Sequence, residues 1–223
     1  MEICKLQNVS KSYMMGEKVS PLQNINLVVN TGDFISIEGS SGIGKSTLLY
    51  VMGSLLKIDE GKLYLDNKDV NSLTDQQLTN LRAEKIGFIF QENNLIQALT
   101  LQENLEFAQA LGKKRITDSQ EIVTLMERLG LLDRKDYLPN QLSGGQRRRA
   151  MIARALINHP SLILADEPTN DLDDFWANEI VQLFVEAINK GCAVVIVTHN
   201  NKWAAEATVQ YRLKYGKLAL LDK

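Results

Sequence analysis

An α/β fold, built on a parallel β-sheet with a helical segment inserted into it, is what three features of this 223-residue chain predict. Two runs, 162–165 and 193–197, are continuously apolar, as strands covered on both faces of a parallel sheet are. The stretch between them, 175–189, places Ile180, Val181, Phe184 and Ile188 on one side of a helix, so strand, helix and strand form a crossover unit. From 91 to about 156 the pattern is mostly helical, and this separates a strand-rich N-terminal part from the two buried runs.

The elements follow in order. Ile25, Leu27 and Val29 alternate with polar residues and predict a strand, closed by a turn at Asn30, Thr31, Gly32 and Asp33. Residues 34–38 make a short apolar-rich strand, a Gly-rich loop follows, and a helix is expected over 45–56. Alternation returns at 61–66 for another strand. Thr74 is a suitable N-cap for a short helix over 74–82, and 86–90 reads as a strand again. Ile122, Leu125, Met126 and Leu129 fall on one helix face, and Gly130 ends it. No repeat, low-complexity tract or Pro/Gly linker divides the chain. One domain is expected over 1–223, its core in 1–90 and 156–223 and its helical part in about 91–155.

Composition excludes several classes. Apolar residues make up 44% and charged residues 23%, ordinary globular usage that rules out bulk disorder. The net charge of −2 gives no global basic excess for nucleic acid. Arg147, Arg148 and Arg149 fan over most of a helical turn, and they are expected to be ion-paired or solvated rather than a nucleic-acid patch. Cys4 and Cys192 lie far apart without metal-ligand spacing and read as reduced thiols. His159, before Pro160, reads as a plain loop residue, and Trp176 and Trp203 as packing residues. The N-terminus shows no apolar signal region, and no run approaches the roughly 18 apolar residues of a membrane span. A membrane role would therefore need a second chain.

The chemistry begins at Gly39, Ser40, Ser41, Gly42, Ile43, Gly44, Lys45 and Ser46, which fit G-x-x-x-x-G-K-[ST] between a strand and a helix. Glycines let backbone N–H groups turn inward around phosphate, and the helix N-terminus adds partial positive charge. Lys45 can reach the β- and γ-phosphates and the Ser46 hydroxyl can ligate Mg²⁺; Thr47, next on the helix, completes the candidate nucleotide contacts. The apolar strand at 162–165 ends in Asp166 and Glu167. Adjacent strand residues face opposite ways, so the expected division gives Asp166 the metal and Glu167 the attacking water.

Leu142, Ser143, Gly144, Gly145 and Gln146 spell a string whose chance occurrence has odds on the order of one in several thousand. It resembles the signature motif of ABC-type ATPases, and the resemblance extends over nearly the whole chain, from Leu6 to Leu218. It implies a P-loop NTPase core with an antiparallel β subdomain and an inserted α-helical subdomain. Tyr13 then resembles the aromatic residue that stacks on adenine. Gln91 resembles the Q-loop glutamine that contacts Mg²⁺ and water, and His199 the switch histidine that senses the γ-phosphate. The resemblance implies ATP and Mg²⁺ as cofactors. It makes Lys45, Gln91, Glu167 and His199 catalytic, and Ser46, Gln91 and Asp166 metal-binding. Tyr13, the phosphate loop and Ser143 to Gln146 contact nucleotide. Two subunits close around two ATP at a two-fold interface, with Ser143, Gly144 and Gly145 presented to the partner's γ-phosphate.

Residues 168–173 resemble the D-loop region, but Asn170 and Asp171 stand where a Gly-Asn or Ser-Ala pair is common; Asn170 tolerates a positive φ. The insertion at 13–19, the segment 81–91 and Asn94, Leu95 and Ile96 resemble the macrolide-exporter, lipoprotein-release and antimicrobial-peptide-resistance subfamily, a close relative of the cell-division ABC ATPase. That implies a cytoplasmic protein held at the inner face of the membrane through an ABC permease, serving export or extraction, with no nucleic acid as partner.

Overall fold

The computed structural model describes residues 1–113 and 119–221; residues 114–118 of the expected helical part lie outside the described residues. The described chain forms two sheets. In the first, β1 (Glu2–Met15) pairs antiparallel with β2 (Glu17–Asn30) and β4 (Glu60–Leu65), and the two-residue β5 (Lys68–Asp69) adds to β4. The second has six strands. Here β3 (Phe34–Glu38), β8 (Ala193–Val197), β7 (Leu162–Asp166) and β6 (Ile86–Ile89) run parallel in that order; β9 (Val209–Lys214) lies parallel on the other side of β3, and β10 (Lys217–Leu220) closes the edge antiparallel.

The apolar runs of β7 and β8 are explained by what covers them. All five residues of each strand are buried. Leu162, Leu164, Ala193, Val195 and Val197 face a core made with helix α1 (Lys45–Met52) and the antiparallel sheet. Ile163, Ala165, Val194 and Ile196 face the opposite core, built from four helices: α3 (Leu101–Lys113), α4 (Ser119–Arg128), α5 (Gly144–Leu156) and α6 (Asp174–Asn189). Each fully buried Val, Leu or Ile contributes about 1.5–3 kcal/mol, so polar alternation in these strands would be strongly unfavourable.

Several expectations shift in detail. The helix expected over 45–56 ends at Met52. Gly53 follows where a Cβ would stand 2.2 Å from Phe88 Cε2, and Ser54 is left-handed at φ 54°. Thr74 does cap a helix, α2 (Asp75–Lys85): its Oγ1 accepts from Gln77 N–H at 3.3 Å while Gln77 Oε1 accepts from Thr74 N–H at 2.8 Å, a capping box. The segment 13–19 extends the β1–β2 hairpin, turning at Gly16. Register shifts after Glu2, Leu6, Val9 and Lys11 break the period-two pattern, which hides most of β1 from a reading based on alternation. Cys4 and Cys192 are free and buried, and burial pushes both thiols up to about 12. No described helix is long and apolar enough to cross a membrane.

Candidate functional site

The strand register assembles the candidate residues. Ile37 lies opposite Val197, Val197 opposite Asp166, and Ile89 opposite Ala165. The C-terminal ends of β3, β8, β7 and β6 are therefore in a row. The phosphate loop leaves the first, His199 the second, Asp166 and Glu167 the third and Gln91 the fourth, the edge at which open parallel sheets bind ligands.

The loop from β3 to α1 is shaped by its glycines. Gly44 is the residue before α1, left-handed at φ 113°, and a Cβ there would sit 2.7 Å from Pro21 Cβ and 2.9 Å from Pro21 O. No side chain caps α1, so the N–H groups of Lys45, Ser46 and Thr47 are available to an anion. Gly44→Ala is expected to lower the melting temperature by several degrees and weaken nucleotide binding at least about tenfold, because both φ and the Pro21 contact oppose a methyl group; thermal melts with and without ATP check this. Pro21 belongs to β2, whose hairpin partner β1 carries the half-buried Tyr13 opposite Val19. Lys11 Nζ lies 5.5 Å from the Tyr13 ring centroid. The segment is anchored by Asp59, which accepts from Lys11 Nζ and Ser12 N–H at 2.7 Å and from Ser12 Oγ at 2.8 Å, and these donors hold its carboxyl at about 2.

Lys45 is 7% exposed. Its Nζ donates to Gly39 O at 2.6 Å and Ser40 O at 2.8 Å and lies 3.5 Å from His199 Nε2. Burial lowers its pKa, and the charges of Glu167 and Asp166 oppose that shift. His199 Nε2 is in turn 3.5 Å from Glu167 Oε1, while His199 N–H donates to Glu167 Oε2 at 3.3 Å. Lys45, His199 and Glu167 thus form one contiguous cluster. Asp166 and Glu167 are both buried, and among the described residues neither Asp166 Oδ2 nor Glu167 Oε1 has a hydrogen-bond partner. Buried oxygens left this way are uncommon, and an unpartnered carboxylate oxygen beside a phosphate loop fits a cation in the nucleotide complex.

Three expectations need correction. Strand alternation does not separate Asp166 from Glu167, because β7 ends at Asp166 and Glu167 is left-handed at φ 49°, held by its N–H on Val197 O at 2.8 Å. In the D-loop region the positive φ falls on Asp171, at 64°, and not on Asn170. Among the described residues, Arg148 and Arg149 are neither solvated nor ion-paired with a carboxylate, while Arg147 is half-buried. Arg148 and Arg149 are buried; Arg148 donates to Phe90 O and Gln91 O, and Arg149 to Leu129 O and Gly130 O with its guanidinium 3.8 Å from the Trp176 ring. Arg147 donates to Leu142 O.

Ser143 caps α5: its Oγ accepts from Gln146 N–H at 3.2 Å, and Gln146 Oε1 accepts from Ser143 N–H at 2.8 Å. Part of the hydrogen-bonding capacity of Gln146 is thereby used on its own helix. A Cβ on Gly145 would stand 2.9 Å from Asp171 O, so the start of α5 packs directly on the D-loop region. Among the described residues no hydrogen bond joins Ser143, Gly144, Gly145 or Gln146 to the phosphate loop of the same chain. Gln91 is exposed, past the end of β6. A cavity of about 720 Å³ lies elsewhere, lined by Met1, Thr124, Arg128, Leu183, Glu186 and Lys190 among others, and contains none of these residues.

A model described as ABC transporter matches residues 22–170, more than half of the chain, from within β2 through the phosphate loop and the signature to the D-loop region. This chain belongs to the ABC transporter family. It is similar to the ABC transporter ATP-binding protein MJ0796 of Methanocaldococcus jannaschii, 45% identical over 232 residues that cover 98% of this chain and 96% of the other. It is also similar to the macrolide export ATP-binding/permease protein MacB of Salmonella choleraesuis, 42% identical over 98% of this chain but only 34% of that protein. A solved dimeric structure of MJ0796 in a post-hydrolysis state, bound to ADP and Pi, superposes with a TM-score of 0.93 and 40% identity, covering 99% of this chain and all of the other. The ABC chain described here is thus the ATP-binding, ATP-hydrolysing type of subunit, and its two sheets and helices are those of that fold.

Proposed function

We propose that two copies of this chain close around two ATP, hydrolyse them with Mg²⁺, and so drive a separate membrane permease in export or extraction. The observation that supports this furthest is the contiguous set of Lys45, His199 and Glu167 at the ends of parallel strands, beside the unpartnered Asp166 oxygen. Mg²⁺, held by Ser46, Asp166 and Gln91, would neutralise charge on the phosphates.

In this reading Lys45 and the N–H groups that open α1 hold the phosphates, and Tyr13 stacks on adenine. Glu167 takes the proton of the attacking water. The His199 N–H fixes the orientation of that carboxylate, and the imidazole stands between it and Lys45 to sense the γ-phosphate. Ser143, Gly144 and Gly145, which among the described residues make no hydrogen bond to the phosphate loop of their own chain, form the anion site offered to the partner's ATP. Hydrolysis removes a charge from that shared contact and lets the dimer open. Residues of about 91–155 act as the helical lobe between the ATP site and the permease. The export direction rests on similarity to the macrolide exporter, and a permease partner holds the protein at the cytoplasmic face of the membrane.

Ser143→Arg is expected to leave ATP binding by the monomer within about threefold of wild type while abolishing the ATP-dependent dimer, since a bulky cation displaces the cap at a closely packed interface. Size-exclusion chromatography with ATP and Mg²⁺ checks this, and an unchanged dimer rejects the shared site. The permease is tested by recovering the tagged chain from detergent-solubilised native membranes and identifying its companions by mass spectrometry. A permease with membrane helices supports the reading. Ribosomes or DNA-associated proteins without a permease overturn the transport part and leave the ATPase intact.

A further inference from the structure

We propose that Arg148 is a positioning residue for hydrolysis: its guanidinium fastens the chain at Phe90 and Gln91 to α5, so the helix that presents Ser143 also sets where the Gln91 side chain stands. This rests on the nucleotide-site reading above and adds a residue to it.

The geometry begins at the end of β6. Pairing with β7 stops at Ile89, and beyond that point the backbone needs other hydrogen-bond partners. They come from α5. Arg148 Nη1 donates to Phe90 O at 2.7 Å and Nη2 to Gln91 O at 2.8 Å. Six residues on, Arg154 Nη1 donates to Asn94 O at 2.7 Å and Nη2 to Asn94 Oδ1 at 2.5 Å. The chain from 90 to 94 is therefore held at both ends by guanidinium forks from a single helix, the planar two-point geometry that an ammonium cannot reproduce.

Arg148 is 4% exposed, and among the described residues its Nε has no hydrogen-bond partner. A buried cation in this state is costly unless negative charge surrounds it. That charge comes from the site itself: burial lowers the Arg148 pKa, and Asp171, Asp166 and Glu167 pull it back up. Arg148 thus connects α5 to the chain at Phe90 and Gln91. These two bonds couple the position of α5 to that of Phe90 and Gln91. A purely stabilising arginine would share the burial but would not link Gln91 placement to hydrolysis.

The test uses the full chain with Arg148→Met, which removes both bonds, and Arg148→Lys, which keeps the charge and can reach one carbonyl. Amide hydrogen exchange at 90–95 is read without nucleotide, and ATP turnover is read across a Mg²⁺ titration beside ATP affinity. In R148M, exchange at 90–95 is expected to quicken at least about tenfold with 39–47 unchanged. The kcat is expected to fall at least about tenfold and half-saturating Mg²⁺ to rise several-fold, with ATP affinity within about threefold. R148K should lie between on each readout. Unchanged exchange at 90–95 overturns the proposal. So does a loss of kcat with wild-type Mg²⁺ dependence in which R148K is no better than R148M. If R148M does not fold, R148K decides by the same readouts: a shift in both exchange and Mg²⁺ dependence supports the role, and wild-type values reject it. Failure of the parent reading looks different: wild-type chain and Lys45→Ala would bind ATP alike and neither would hydrolyse it, while the exchange readout would still decide whether Arg148 holds the segment.

Discussion

Glu167→Gln is expected to lower kcat by roughly 10³-fold while ATP affinity stays within about threefold, and the variant should accumulate as an ATP-bound dimer. The amide is nearly isosteric with the carboxylate. Its oxygen can still accept from His199 N–H, the 3.3 Å bond that orients the side chain, and the left-handed turn at φ 49° is untouched. What the amide cannot do is take a proton from water. The buried Oε1, 3.5 Å from His199 Nε2 and without a hydrogen-bond partner among the described residues, is the atom that the proposed role as base would use. Phosphate release measured beside size-exclusion chromatography in ATP separates the two effects. Turnover at the wild-type rate would remove Glu167 from the role of base.

Lys45→Ala is expected to weaken ATP binding by about 100-fold or more, read by titration with a fluorescent ATP analogue or by calorimetry. Each charge-assisted bond to phosphate is worth about 1.5–3 kcal/mol, and each 1.4 kcal/mol is about tenfold in affinity. The loss goes beyond those bonds. Asp166 and Glu167 are buried beside Lys45 and both act on its charge, so without the ammonium they would face the phosphates with no fixed cation between them. Nothing else in the described cluster replaces it, since His199 is largely exposed and uncharged unless protonated. Unchanged affinity would show that the loop N–H groups alone hold the nucleotide.

The sequence by itself determined the phosphate-loop string and the identity of the buried strands. Gly39 to Ser46 is a local string in which backbone conformation, helix start and Lys45 all act within a few residues, so composition and spacing specify it. The apolar runs of β7 and β8 are equally local, because a strand covered on both faces has no position where a polar side chain could reach water. Ser143 and Gln146 form a capping box three residues apart, again a short-range device.

Only the tertiary structure decided how these pieces meet. The pairing of Ile37 with Val197 and of Val197 with Asp166 brings segments more than a hundred residues apart into one row, and no local period encodes that register. The left-handed turn at Glu167 arises where β7 ends against β8, so alternation, valid inside β7, fails at that carboxylate. The arginines show the same limit most plainly. In the chain Arg148 and Arg149 look like surface charge. They can be buried only because the carbonyls of Phe90, Gln91, Leu129 and Gly130 converge on them from distant segments. The acceptors of a buried guanidinium belong to the fold and cannot be read from the residues beside it in sequence.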